Sequence, residues 1–169
     1  FKANEKNHLK EFLQEADSKN LKVTILGAGS NTLFRDNGVR GVVVKLGKEF
    51  SFIKKIDENI LEVGAATLDR KVANYAKDNS LTNLEFLSCI PGSIGGAVIM
   101  NSGCYDNDIS KIIISINVLD KKKMIEKEIQ KENINFFYRG TDLSNDLIIL
   151  SAKLRCSIGK KIEIEGKQN

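Results

Sequence analysis

The groups in this chain best suited to chemistry are backbone amides, because two segments are built almost entirely from glycine and small polar residues. Pro91 to Tyr105 reads PGSIGGAVIMNSGCY, with Gly92, Ser93, Gly95, Gly96 and Ala97 opening an apolar run. A second small-residue loop follows it at Asn101-Ser102-Gly103-Cys104. The other segment, Gly27-Ala28-Gly29-Ser30-Asn31-Thr32, follows the apolar run Val23-Thr24-Ile25-Leu26. Glycine at this density lets a large ligand approach the main chain and frees N–H groups to face anionic oxygens. The amides of Gly95 and Gly96, near the start of a short helix, make a natural pyrophosphate site. Two such cradles suggest one long phosphate-bearing ligand held at several points. One side-chain group stands out: Arg139, beside Tyr138, after the apolar Phe136-Phe137 and before Gly140. Taken alone, an arginine in that setting often just covers apolar area with its stem.

Gly27-Ala28-Gly29 invites a dinucleotide-fold reading, which the surrounding residues oppose. Thr32 holds the place of the third glycine, Leu33 to Gly38 looks like a turn instead of an opening helix, and no acid ends a second strand. As an isolated loop it serves equally well as a tight strand-to-strand connection. Glycines in Pro91 to Tyr105 would also allow close helix-to-sheet packing. Packing needs only one or two of them and does not explain Ser93, Asn101 and Ser102.

The elements that must hold these groups are mixed. Leu9, Phe12, Leu13 and Ala16 mark an amphipathic helix over 7–17. Strand-like runs cover 23–26, 41–46, 50–56, 60–63, 112–119, 124–129 and 147–154, giving about eight strands by β-branched and apolar patterning. Thr67 is placed to cap a second helix carrying Leu68, Val72, Tyr75 and Ala76 on one face, and a short helix is predicted near 94–100. Without regular βαβ alternation this favours α+β over a doubly wound sheet. A soft division lies near 67–83.

At 169 residues the chain suits one ordinary domain or two small interleaved ones. It is 41% hydrophobic and 28% charged, with no apolar run near the roughly 20 residues a bilayer demands and no secretory signal. The net charge of +4 is interspersed, and its densest run, Lys121-Lys122-Lys123, falls in a predicted hairpin turn. No basic stripe interleaved with aromatics is present, so nucleic acid is not an expected partner. Cys89, Cys104 and Cys156 form no CxxC pair, which argues against a disulfide framework or metal site and fits a reducing cytoplasm. His8, the single histidine, reads as a surface residue. The chain begins at Phe1 and ends in the charged run 160–169 with no evident terminal element, as expected of part of a longer protein.

Taken together, GAGSNTLFRDNGVRGVVVKLG, PGSIGGAVIMNSGCY, FFYRG and LIILSAKL resemble, in order and spacing, the UDP-N-acetylenolpyruvoylglucosamine reductases of peptidoglycan precursor synthesis. The resemblance covers nearly the whole chain and implies the two-subdomain α+β FAD-binding fold of the vanillyl-alcohol-oxidase type. On that basis residues 1–66 form a first FAD-binding subdomain, 67–158 a second, and 159–169 a tail toward a substrate domain. It further implies non-covalent FAD held by Gly27, Ala28, Gly29, Ser30, Asn31 and Thr32 around the pyrophosphate. Pro91, Gly92, Ser93, Gly95, Gly96, Asn101, Gly103 and Tyr105 would hold the phosphate, ribityl and ring portions, with Gly64 and Ile149 lining the remainder.

Arg139 matches the family's active-site arginine and Tyr138 would position it or the substrate. NADPH would be the hydride donor, a UDP-linked amino sugar the substrate, and the protein a cytoplasmic monomer without membrane or nucleic-acid partners. Nothing in 155–169 matches the family's serine proton donor or its late acidic residue, so the segment alone is not expected to turn over. The alternative is an inactive FAD-binding remnant of the same family. Cys104 stands where a small alanine-like residue is usual, and Gly140 where a more polar one is common.

Overall fold

The computed structural model describes residues 1–168. Strand β1 (Lys2–Ala3) leads into helix α1 (Lys6–Ser18), which buries Leu9, Leu13 and Ala16, the stripe its periodicity marks. Strands β2 (Val23–Ile25) and β3 (Val42–Leu46) complete a three-stranded parallel sheet in the order β1-β3-β2. The hairpin β4 (Ile53–Asp57) and β5 (Ile60–Gly64) precedes helix α2 (Asp69–Asp78) and strand β6 (Leu81–Thr82). The glycine-rich segment forms helix α3 (Ile94–Ile99) and the two-residue hairpin β7 (Gly103–Cys104) and β8 (Asn107–Asp108). One turn of helix, α4 (Ile109–Ile112), feeds the long hairpin β9 (Ile113–Asp120) and β10 (Ile125–Gln130). A small hairpin, β11 (Phe136–Phe137) and β12 (Gly140–Thr141), is followed by β13 (Leu147–Arg155), β14 (Ser157–Ile158) and helix α5 (Lys161–Gln168).

The main sheet is antiparallel and five-stranded, ordered β10-β9-β13-β5-β4. Helices α2 and α3 pack with it around the larger core cluster, which includes Leu61, Val72, Leu87, Val98 and Ile116. A second cluster joins α1, β3 and the other sheet face through Leu9, Val44, Leu119 and Ile148. Strand β13 serves both. Ile149 belongs to the first cluster and Ile148 and Leu150 to the second, but past a register shift between Ile149 and Ser151 it is Ala152 and Leu154 that enter the first. Because side chains alternate along a strand, one extra residue exchanges its faces.

All seven strand runs named from the sequence form, with differences at their ends. Phe50 lies in a 3-10 turn (Lys48–Phe50), not in a strand. Thr67 does not cap α2: its hydroxyl donates to Phe52 O at 3.0 Å, and Leu68 occupies the cap position with no side-chain bond. The run at 23–26 is half-exposed along its length. The charged end does carry a terminal element, since α5 buries Ile164 and brings Lys167 Nζ within 3.7 Å of Glu85. Asn169 lies outside the described residues. The expected division at 66/67 falls between β5 and α2, and β5 pairs directly with β13 beyond it.

Candidate cofactor site

The two glycine-rich segments meet. Ser30 Oγ donates to Pro91 O at 2.5 Å, and a Cβ placed on Gly27 would lie 2.9 Å from Ser93 Oγ. Both segments face a cavity of about 1050 Å³ that also takes residues from β2, β3 and β13. Gly27, Ala28, Ser93, Gly95, Gly96 and Ile149 line it. This explains the exposure of β2: Val23, Thr24 and Ile25 form part of the cavity wall.

The glycines differ in what they provide. A Cβ on Gly96 would meet nothing within 4 Å, so this position leaves open room beside α3. Gly95 behaves otherwise. Its N–H donates to Ala65 O at 2.9 Å, and a Cβ there would stand 3.0 Å from Ala65 Cβ. The amide sequence reasoning offered to a phosphate is thus already spent, and Gly95 gives close helix-to-strand approach. Ile94 N is likewise bonded, to Thr67 O at 3.0 Å. Gly64 and Gly103 are packing positions too: added carbons would strike Phe50 O at 2.2 Å and Asn107 O at 2.4 Å.

Two buried side chains beside this segment lack partners. Ser93 Oγ is buried, lines the cavity and makes no hydrogen bond. Asp69, fully buried at the start of α2, leaves both carboxylate oxygens unbonded, and an added Cβ on Gly92 would lie 2.6 Å from its Oδ2. Burial without a partner pushes the Asp69 carboxyl up to about 7. Sequence reasoning missed Asp69, since an acid in a first helical turn ordinarily sits in solvent and interacts with the helix dipole.

Charge also gathers here. Among the described residues, Lys2, Lys22, Lys45, Lys121 and Lys122 line the cavity against Asp17 alone among acids. Lys45 Nζ reaches Ala28 O at 3.5 Å, while Lys121 and Lys122 pair with Asp146 at 3.6 and 2.5 Å. The basic triplet does sit in the predicted turn, between β9 and β10.

The remaining candidate residues are placed nearby. Gly29, at φ +81°, and Ser30, Asn31 and Thr32 continue the first loop beyond the cavity wall. Pro91 and Gly92 lead into α3 on the side of Asp69. Asn101, at φ 40°, accepts the Ser110 N–H at 3.0 Å and donates to Phe137 O at 3.3 Å. That second bond fastens the β11–β12 hairpin to the end of α3, as does the Thr141 hydroxyl to Ile99 O at 3.3 Å. Tyr138 and Arg139 form the hairpin tip, exposed, with the guanidinium 5.6 Å from the Tyr138 ring centre. They are not part of the cavity wall. Tyr105 and Arg139 hold φ of 51° and 60°, which bulky residues rarely adopt and which recurs at functional sites.

A compartment of this volume, walled by two small-residue loops, rimmed by lysines and containing an unpartnered hydroxyl, fits an elongated anionic ligand with an apolar end. The arrangement of a small parallel sheet beside a larger antiparallel one is the two-part FAD-binding fold of the vanillyl-alcohol-oxidase type, shared at a TM-score of 0.64 with an alkyldihydroxyacetonephosphate synthase, which covers 93% of this chain and is 12% identical. The chain belongs to the FAD binding domain family, which it matches over residues 1–126.

Its sequence is 42% identical over 156 residues to the UDP-N-acetylenolpyruvoylglucosamine reductase of Pelagibacter ubique, covering 92% of this chain and 51% of that one. It is 40% identical to the enzyme of the same name in Rickettsia felis, over all of this chain and 56% of that protein. A crystal structure of the corresponding reductase from Thermus caldophilus superposes with a TM-score of 0.83 at 28% identity, over 99% of this chain and 58% of that one. The chain spans about half the length of the relatives it matches.

Proposed function

We propose that this chain is the FAD-holding part of a reductase that converts UDP-N-acetylenolpyruvoylglucosamine to UDP-N-acetylmuramate using NADPH. The observation that carries the reading is the meeting of the Gly27 and Pro91 segments on one large cavity, with Ser93 Oγ buried there without a partner. The names of relatives near 40% identity supply the substrate.

Gly27, Ala28, Ser93 and Gly96 would hold the cofactor, with lysines 22 and 45 balancing its phosphates and Ile25, Leu68 and Ile149 covering apolar surface. When bound, FAD supplies the two-electron chemistry that carries a hydride from NADPH to the enolpyruvyl double bond. This chain's own contribution is orientation and charge. As the double bond is reduced, negative charge builds at the carbon bearing the carboxylate. The Arg139 guanidinium stabilises that charge as an oxyanion site does, by up to a few kcal/mol. The Arg139 guanidinium stands 5.6 Å from the Tyr138 ring centre, within reach of a cation–π contact at the hairpin tip. The bond from Asn101 to Phe137 O fixes the hairpin that presents both. Cytoplasmic location is part of the same reading, supported by three free cysteines.

The test is to express the chain with its natural flanking sequence, load FAD, desalt, and follow NADPH absorbance with and without the enolpyruvyl substrate. Retained flavin with substrate-dependent NADPH oxidation is the expected result. Flavin that stays bound while oxidation ignores the substrate would overturn the assigned reaction.

A further inference from the structure

Two of the three free thiols are neighbours. Cys89 ends a 3-10 turn (Glu85–Cys89), two residues before Pro91, and Cys104 ends β7. The turn and β7 pack together with Cα atoms within 8 Å. Cys89 is exposed, with its Sγ 3.6 Å from Ser88 Oγ. Cys104 is half-buried against the larger core cluster. Burial pushes the Cys104 thiol up, and the nearby Cys89 thiol adds to the effect. Cys156 is buried within that same larger cluster, its amide bonded to Asn59 O in the turn between β4 and β5. The pair therefore consists of one sulfur open to solvent and one half-buried, flanking α3 and the Pro91 segment in sequence.

We propose that Cys89 and Cys104 are a reversible dithiol, oxidised to an intrachain disulfide by hydroperoxides. The exposed Cys89 sulfur attacks the outer peroxide oxygen, so that an S–O bond forms, the O–O bond breaks, and the alcohol (water, from hydrogen peroxide) leaves with the thiol proton. The Cys104 sulfur then attacks Cys89 sulfur, forming S–S, breaking S–O and releasing water. Two thiols lose two electrons in total and one hydroperoxide gains them. A small dithiol reductant reverses the reaction by exchange. The sheltered position of Cys104 makes it the resolving sulfur, since access governs which thiol meets the oxidant first.

The experiment is a hydrogen peroxide titration of the protein, followed by alkylation and peptide mapping by mass spectrometry. The expected result is simultaneous loss of two of the three thiols, a linked peptide containing Cys89 and Cys104, and full recovery with dithiothreitol. In Cys104→Ala, dimedone should capture a sulfenic acid at Cys89. Cys156→Ser should behave as the parent. Oxidation of Cys89 that leaves Cys104 open to alkylation, or that links two chains through Cys89, overturns the proposal. The readout is the state of the sulfurs, so it stands apart from whether flavin is held or substrate reduced.

Discussion

Asp69 is the residue whose behaviour is most directly set by its surroundings. A carboxyl whose ordinary value of 3.8 rises to about 7 in the folded state keeps its proton there while the unfolded chain releases it. Folding stability therefore falls as pH climbs from about 4 to about 7 and levels off above, by at most about 4 kcal/mol across the window. Asp69→Asn should remove that slope and raise the melting temperature at pH 8 by several degrees, measured as thermal denaturation against pH. A wild-type curve that rises over the same window would refute the account. Ser93 permits a complementary test. Removing a buried hydroxyl without a partner costs the free protein little. Ser93→Ala should leave the melting temperature of the flavin-free protein within a degree or two but weaken FAD binding about fivefold to tenfold, read by flavin fluorescence.

At the scale of elements, α3 contains two glycines with opposite roles. Gly96→Ala gains roughly 0.5–1 kcal/mol from helix propensity, because nothing obstructs the new methyl group. That methyl would project toward the cavity, so the same change should reduce FAD retention. Gly95→Ala should destabilise by about 1–2 kcal/mol through contact with Ala65. Urea denaturation of both variants, with and without flavin, separates the two.

Much of this was legible beforehand. Amphipathic spacing located α1, and β-branched runs located β3, β9 and β13, because burial on one face leaves a period in the residues. The glycine segments were visible as composition. What each glycine does was not, since Gly95 and Gly96 differ in what approaches them from Ala65, thirty places from Gly95 along the chain. Thr67 reads as a cap because it precedes a helix, but Phe52 O takes its hydroxyl from a distant part of the chain. The two-residue strands escaped notice because pairing so short is fixed by tertiary neighbours, with too few residues to show a period.

At the scale of the whole molecule, lysines scattered along the sequence converge on one rim, from Lys2 to Lys122. A ligand's phosphates should feel this field, and salt should screen it with a Debye length near 10 Å at about 0.1 M. FAD binding should weaken as sodium chloride rises, whereas binding of riboflavin, without phosphates, should not; isothermal titration at several salt concentrations tests both. The kink in β13 has a further consequence for what lengths the chain tolerates. Upstream of Leu150 and downstream of Ser151 the strand is read in two frames, each delivering its apolar residues to the required cluster. Deleting Leu150 would remove the unpaired residue and merge the frames with Ile149, Ala152 and Leu154 still facing the first cluster, so its cost should be confined to the loss of the Leu150 side chain from the second. Equal or larger changes in length between Leu33 and Gly38, where Leu33 stands 93% exposed, should pass almost unfelt by the fold.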